Sequence, residues 1–485
     1  MILAADIGTS FFKSALWGLD GRRLASAQVP LPGLGQAAAD GRHAGEAETD
    51  AALWLRAFEQ CCLLLGQGIP GGLLQVRAIV ISGNGPTLVP VLGEPGESGE
   101  GLSLPAAPAR LWLDRRAAKE AAVVSDLSGG FVDAAFFLPK ALNIKNEDAV
   151  LYEKTRVFLG ASEYLACALC GQARAVFPAL GFERWFWNAG ILDALGLDAG
   201  KFPPFINAGD AFGELPAQVA RHLGFSQGIP VVAGGPDFFA AIVGSGARGP
   251  GQACDRAGTS EGINLCTESR INDWRLLSYA HPVKPFWNLS GVISTTGRAV
   301  QWAAQMLACD GAGGLADFYR LAESSKPGAG GALFLPHLAG ERSPYWNPNA
   351  RGIWRNLSLS SGREEAARSV LEGIAFAMRD VICAMEEAGG ALTELRVTGA
   401  ASAAGLLNQI KADVTGKSVF SLEHKDAELA GLAAIGAAAL GECSSFTEAA
   451  GLFVGLEKEF LPRPEFAELY GELFAQYRET YRLLN

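Results

Sequence analysis

The sequence predicts a duplicated α/β protein of two domains, and three observations carry that prediction. The chain has 485 residues, too many for one ordinary hydrophobic core. The tripeptide Gly-Thr-Ser stands at 8–10 and again at 258–260, each time between two predicted strands. Matched hairpins about half a chain apart are the mark of an internal duplication. Between them lies an apolar run, Ile229 to Ala233, that reads as a buried strand ending in Gly234-Gly235-Pro236-Asp237.

The elements follow in order. Met1 to Ile7 is a short apolar strand, Gly8-Thr9-Ser10 a turn, and Phe11 to Trp17 the returning strand. Asp20-Gly21 turns the chain into a third strand over Arg23 to Val29. Gly33 to Gly45 is polar and glycine-rich, a surface loop. Thr49 to Leu65 has helical period, capped by Thr49 or Asp50. Val76 to Ser82 is a buried strand that ends at Gly83-Asn84-Gly85-Pro86, and Leu88 to Leu92 resumes as strand. Gly93 to Gly101 is a flexible Gly/Glu loop, after which Trp112-Leu113-Asp114-Arg115-Arg116 opens a helix. Helices and loops alternate over 118–230, with an unusually aromatic stretch at Phe182 to Trp187. Gly244 to Gly251 is a Gly/Pro-rich break, which places the domains at 1–246 and 247–485.

In the second half, Thr296-Gly297 begins a helix through Gln301 and Trp302. A strand ending at Pro336 leads to the charged and aromatic loop Gly340 to Trp346. Ser361 to Met385 is the clearest helix, with a capping box between Ser361 and Glu364 and a stop at Gly389-Gly390. Leu395 to Thr398 is a strand running into Gly399-Ala400-Ala401-Ser402, and a helix follows over Leu406 to Val414. Leu429 to Leu440, rich in Ala and Gly, reads as a closely packed core helix, and Pro464 to Leu484 as a final amphipathic helix.

Composition limits the function. Hydrophobic content of 49% with 19% charged residues describes a globular protein, and a net charge of −11 disfavours nucleic acid and anionic membrane as partners. No apolar run has the length of a membrane span, and the first residues open on a strand without a basic leader. Nine cysteines, scattered or adjacent, make no disulfide framework, so a reducing, cytoplasmic setting is expected. Cys167 and Cys170 lie in a helical run and read as buried thiols rather than a zinc or redox pair. The five histidines are dispersed and give no metal-ligand spacing.

The chemistry concentrates where strands end. Paired glycines let the backbone approach a ligand closely, and Asp237 beside them can act as a general base. A tight turn with free N–H groups can hold a phosphate. A base and a phosphate cradle are the minimum equipment for phosphoryl transfer to a hydroxyl. The loop Asn84-Gly85-Pro86, at a strand C-terminus, is either a substrate loop or a plain turn. Asp114 and Arg116, taken alone, read as an ion pair. The 182–187 aromatics are packing or a platform beside a sugar. The small residues after Thr398 suit either a nucleotide lying flat on backbone or close helix packing.

Together these residues resemble the FGGY family of carbohydrate kinases, in its xylulokinase-like branch. The resemblance spans the chain and rests on the order of several motifs. They are Asp6-Ile7-Gly8-Thr9-Ser10, Trp112-x-Asp114-x-Arg116, Gly234-Gly235-x-Asp237, Gly258-Thr259-Ser260, Gly297 with Gln301, and Gly340-Glu341-Arg342-Ser343-Pro344. Arg351-Gly352 through Phe376 and Asn408 through Asp413 complete it. It implies an actin-like, ribonuclease-H-like fold of two α/β domains with a catalytic cleft between them, the last helix packing on the first domain. It also implies transfer of the ATP γ-phosphate to a sugar or polyol hydroxyl with Mg²⁺, domain closure keeping water out.

By that resemblance Asp237 is the catalytic base, and Asp6 orients Mg²⁺ through water. Gly8, Thr9, Ser10, Gly258, Thr259 and Ser260 hold the ATP phosphates, and Gly297, Gln301, Gly399 and Ala400 border the nucleoside. Asn84, Gly85, Pro86, Trp112, Asp114 and Phe238 line a small-molecule sugar or polyol, and a homodimer is the candidate assembly. Three departures stand out: Asn84-Gly85-Pro86 replaces a Gln-Met-His stretch, Phe238 replaces Gln or Asn, and Gly399-Ala400-Ala401 holds fewer glycines. The first two remove partners for sugar hydroxyls, so D-xylulose is not expected to be the best substrate. The alternative they motivate is a nucleotide- or sugar-binding sensor with little turnover. A filament or chaperone ATPase would not need the Trp112 and Gly340 segments.

Overall fold

The computed structural model describes residues 1–31, 45–93, 104–309, 311 and 313–485. The loops expected at 33–45 and 93–101 lie almost wholly outside the described residues. The chain divides into two units, Met1–Gly244 with Glu428–Phe453, and Ser245–Ala427 with Val454–Asn485.

The first unit is built on a six-stranded sheet in the order Ala211–Glu214, Pro230–Pro236, Ala78–Gly83, Ile2–Ile7, Phe11–Trp17, Arg23–Pro30. The Ile2–Ile7 strand runs parallel to Ala78–Gly83, which runs parallel to Pro230–Pro236; the hairpin partners are antiparallel. Its central strands are apolar at nearly every position because both faces are covered. Leu3, Ala5 and Ile7 join one core with Trp54, Phe58 and Tyr164 from the helices Ala52–Gln67 and Ala161–Cys170. Ile2 and Ala4 join the other, with the helices Asp237–Ser245 and Ala427–Ala439.

The Ala/Gly composition of that last helix has a steric cause. A Cβ on Gly431 would stand 1.9 Å from the carbonyl oxygen of Ala240, and one on Gly436 2.6 Å from Val80. Only small residues allow this approach of helix to helix and helix to sheet.

The second unit repeats the plan. Its sheet runs Leu277–Ala280, Trp287–Ile293, Glu261–Thr267, Gln252–Ala257, Glu394–Thr398, Ser418–Leu422, Leu456–Phe460. Three-strand hairpin, parallel pair and antiparallel edge recur in the same order, with Leu277–Ala280 added at one edge. This is the duplicated two-domain α/β fold of the actin-like ATPases. The helix Arg363–Glu387 is its buried spine, flanked by Gly314–Ser324, Gly405–Thr415 and Ala467–Leu484.

Four sequence expectations need correction. A single cut at 246/247 does not describe the units, because Glu428–Phe453 returns to the first. The final helix stays in the second, where Tyr470 donates to Glu372 at 2.9 Å and Phe376, Tyr470 and Tyr477 share one core. Only half of a capping box forms, one residue later than Ser361 and Glu364: Glu365 accepts the Gly362 N–H at 2.8 Å, glycine has no side chain to bond back, and Ser361 instead accepts the Ser358 N–H at 3.0 Å. Thr49 lies in the short strand Glu48–Thr49, and Asp50 accepts the Ala52 N–H at 2.9 Å.

Candidate active site

The register of the first sheet gathers the predicted residues. Gly83 pairs with Ile7 on one side and with Pro236 on the other. Gly8, Asn84 and Asp237 therefore leave the sheet side by side at the carboxyl ends of three parallel strands, where α/β proteins bind ligands.

The two glycines before Asp237 do different work. A Cβ on Gly234 would meet Leu432 at 2.1 Å and the Ile81 carbonyl at 2.8 Å, so this position is closed by packing. Gly235 has φ +78 and sits where the register shifts after Ala233. That left-handed residue turns the chain so that Asp237 becomes the first residue of the helix Asp237–Ser245. An Asp237 oxygen accepts the Phe238 N–H at 2.7 Å.

Asp6 is buried near the end of the first strand, and Ser82 donates to it at 2.6 Å. Burial, then the charges of Glu428 and Asp237, push its pKa up to about 7, against the pull of Ser82 and Lys13. The sign for stability follows. The folded state holds this proton more tightly than the unfolded chain, so Asp6 costs stability as pH rises through its folded value. Asp6→Asn is expected to melt above wild type at pH about 8 without metal, the gap closing towards pH about 5. Melting scans at the two pH values check this; a gap that does not change with pH contradicts it.

The first Gly-Thr-Ser turn is closed by the Gly8 N–H donating to Phe11 at 3.1 Å. The Trp112 indole N–H donates to the Thr9 hydroxyl at 3.3 Å, and Leu31 donates to the Ser10 carbonyl at 2.9 Å. Asn84, expected to face substrate, is spent on this scaffold. Its amide donates to the carbonyls of Ile7 at 3.1 Å and Gly8 at 3.2 Å, and its oxygen accepts from Thr87 at 2.8 Å.

Asp114 is likewise enclosed, 1% exposed, accepting from the Ala47 N–H at 2.9 Å and from Arg116 at 2.7 Å. Burial raises its pKa, but these hydrogen bonds outweigh burial and hold it below the usual carboxylate range. The ion-pair reading of Asp114 and Arg116 describes this geometry. Gly85 is exposed and Pro86 half-buried. The Phe238 ring stacks on Phe182 with centroids 5.8 Å apart, and Phe182 meets Trp185 at 5.2 Å. The aromatic stretch thus reaches the residue after Asp237, while Trp187 packs inward against Phe205 at 4.6 Å.

In the second unit, the Gly258 N–H donates to Ser260 at 3.0 Å and closes the second turn. The backbone N–H groups of Gly297 and Arg298 donate to the carbonyls of Gly258 at 3.1 Å and Thr259 at 3.3 Å. These bonds seat the helix Gly297–Met306 on the turn. A Cβ on Gly297 would stand 2.4 Å from the Gly258 oxygen. Gly297→Ala is therefore expected to push the turn aside and to weaken nucleotide binding by about tenfold, roughly the 1.4 kcal/mol of a modest backbone clash. Calorimetric titration with ATP checks it, and unchanged affinity contradicts it. Gln301 lies exposed one turn along. Gly399 has φ +81, a Cβ on it would stand 2.6 Å from the Ala257 oxygen, and Ala400 is exposed beside it. Arg256 pairs with Thr398, so the turn and the Gly399 loop leave the same sheet edge.

Beneath the second turn lies a group that sequence reasoning missed. Lys411, fully buried on the helix Gly405–Thr415, places Nζ 2.6 Å from Asp255 and 2.8 Å from Glu261. Burial and then the Glu261 charge drive the Asp255 pKa well up, while Lys411 opposes them. Burial pulls the Lys411 pKa down, but the two carboxylates outweigh it and hold the ammonium charged. The available signal was two carboxylates closely flanking Gly-Thr-Ser inside apolar strands. Ser82 and Glu428, both acting on Asp6, carried no such signal.

Two α/β halves, each presenting a Gly-Thr-Ser turn at the sheet edge, with a carboxylate leading one of them and a second carboxylate at a strand end, define a phosphotransferase of the actin-like class. The comparisons make this specific. Residues 1–244 match the N-terminal domain of the FGGY family of carbohydrate kinases, and residues 256–440 match its C-terminal domain. The chain belongs to the FGGY family: it is a sugar kinase, an ATP-dependent phosphotransferase with an alcohol acceptor.

A xylulose kinase of Staphylococcus epidermidis is 26% identical over 496 residues, covering 99% of this chain and 96% of that one. A glycerol kinase of Citrifermentans bemidjiense is 34% identical over 303 residues, covering 61% and 59%. The structure of ligand-bound xylulose kinase from Lactobacillus acidophilus superposes with TM-score 0.85 at 23% identity, over 100% of this chain and 98% of that one. Among the described residues no helix is long and apolar enough to cross a membrane.

Proposed function

We propose that the chain transfers the ATP γ-phosphate to a hydroxyl of a ketose or polyol for which D-xylulose is not the preferred member. The observation that carries this reading is the strand register that puts Gly8, Asn84 and Asp237 at one sheet edge. Asp237 takes the proton of the attacking hydroxyl, and Trp112, Gly85, Pro86 and Phe238 line the acceptor. The turn Gly8, Thr9 and Ser10 in one unit, and the turn Gly258, Thr259 and Ser260 in the other, each hold phosphate through the N–H groups and hydroxyls of their Thr and Ser residues, the glycine N–H groups being used to close the turns. Gly297, Gln301, Gly399 and Ala400 border the nucleoside.

The residues fit ATP and a divalent cation. Gly297 and Gly399 keep the turn free of side-chain carbon, as a phosphate cradle requires. Asp6, whose pKa is pushed up by burial and two neighbouring carboxylates, is a group whose charged form a divalent cation would favour. Mg²⁺ bound to ATP supplies charge neutralisation on the phosphates. The chain's own contribution is positioning, proton removal and exclusion of water.

The specificity reading rests on lost polar atoms. Gly85, Pro86 and Phe238 offer no side-chain donor or acceptor, and Asn84 is satisfied internally. A sugar that uses its hydroxyls at these places finds no partner. The test is kcat/KM over ketopentoses, ketohexoses, polyols and sugar acids. D-xylulose is expected to fall at least about tenfold below the best acceptor. D-xylulose ranking first would overturn the specificity reading.

A further inference from the structure

Among the described residues, Lys140 is a fully buried lysine beside the proposed acceptor loop, and no step of the proposed reaction uses it. It stands on the helix Phe137–Glu147 and is 0% exposed. Its Nζ lies 2.8 Å from the Pro86 carbonyl, 2.6 Å from that of Leu111 and 3.1 Å from that of Arg110. Three acceptors around one nitrogen match the three N–H bonds of an ammonium. Burial draws the pKa of this amine well below that of a free lysine; Asp114 pulls it back up, while Arg115, Arg110 and Arg116 press it further down.

The three carbonyls belong to two segments that meet at the proposed acceptor side. Pro86 ends the Asn84-Gly85-Pro86 loop. Its ring nitrogen has no hydrogen to donate, and Gly85 before it is exposed and free of side chain. Arg110 and Leu111 lead directly into Trp112, whose indole reaches Thr9 of the first phosphate turn. Leu88 and Arg110 exchange backbone hydrogen bonds of 2.9 and 2.8 Å just beyond Lys140. One ammonium thus clamps the loop to the segment that carries Trp112.

We propose that Lys140 is a positioning residue for the acceptor, fixing Pro86 and Trp112 relative to each other without touching the reacting atoms. This rests on the reading of those two residues as the acceptor lining. An ammonium suits the task because it bonds three carbonyls at once, while a neutral amide or thioether satisfies fewer.

The test is Lys140→Met in the full chain. The KM of the best acceptor is expected to rise by about tenfold or more while the KM for ATP stays within about twofold. Amide hydrogen exchange, read on the ligand-free protein, is expected to quicken in peptides covering 84–90 and 109–113 and to stay unchanged in the strand Ile2–Ile7. Equal increases in both KM values, with faster exchange through the whole first sheet, would mean a general stabilising role and overturn the proposal. So would unchanged exchange at both peptides. If Lys140→Met does not fold, Lys140→Gln, with a shorter stem and two donors, carries the same expectations. If no acceptor stimulates the wild type, the kinase reading fails on its own, and the exchange comparison still decides the role of Lys140.

Discussion

Asp237→Asn is expected to lose roughly a hundred- to ten-thousand-fold in kcat, the range in which a positioned general base contributes. The amide keeps the shape of the side chain and can still accept the Phe238 N–H through its oxygen. It cannot take a proton from the acceptor. ATP affinity is expected to stay within about twofold, because the phosphate turns lie on other strands. The substitution also removes one of the charges that raise the Asp6 pKa, so Asp6 should ionise more readily in the variant. Acceptor-dependent ATP consumption together with calorimetric ATP binding measures both quantities. Retention of full turnover would remove Asp237 from the chemistry.

The largest expected stability effect is at Lys411. Replacing it with Met leaves Asp255 and Glu261, 0% and 1% exposed, facing each other without a cation. Breaking one side of a buried ion cluster costs about 3–5 kcal/mol, because the stranded charge must stay desolvated or take up a proton. Lys411→Met should therefore unfold at clearly lower urea. The triple variant Lys411→Met, Asp255→Asn, Glu261→Gln should recover much of the loss, since no charge then remains buried. Urea titrations followed by fluorescence test the pair. A single variant as stable as wild type, or a triple variant no better than the single, would mean that the cluster does not hold the second turn.

Much of the fold was legible because the strong signals were local. Apolar strands around Gly-Thr-Ser, the spacing of the Arg363–Glu387 helix and the glycines before Asp237 each carry their cause in a short window. The return of Glu428–Phe453 to the first unit was not legible. An Ala/Gly helix declares that it packs closely, and nothing in its own sequence says against what; the answer lies with Ala240 and Val80, far away in the chain. Around the candidate site, the strand ends were readable and the side-chain partners were not. Asn84 and Asp114 stand where ligand-facing residues were expected, yet their polar atoms close on Gly8, Thr87, Ala47 and Arg116. Lys140 carries no local signal of burial, and Lys411, though inside the Asn408 to Asp413 motif, gives no sign of its partners Asp255 and Glu261. Only three-dimensional contact shows their buried acceptors.

The most direct test of the central claim is the fate of the γ-phosphate. The purified protein is incubated with ATP, Mg²⁺ and each acceptor of the panel, and phosphorus NMR follows the products. The account predicts that, with one acceptor or a related few, ADP and an acceptor phosphate ester appear mole for mole. Inorganic phosphate should stay at its acceptor-free level. ADP and inorganic phosphate formed together, with no ester from any acceptor, would contradict it.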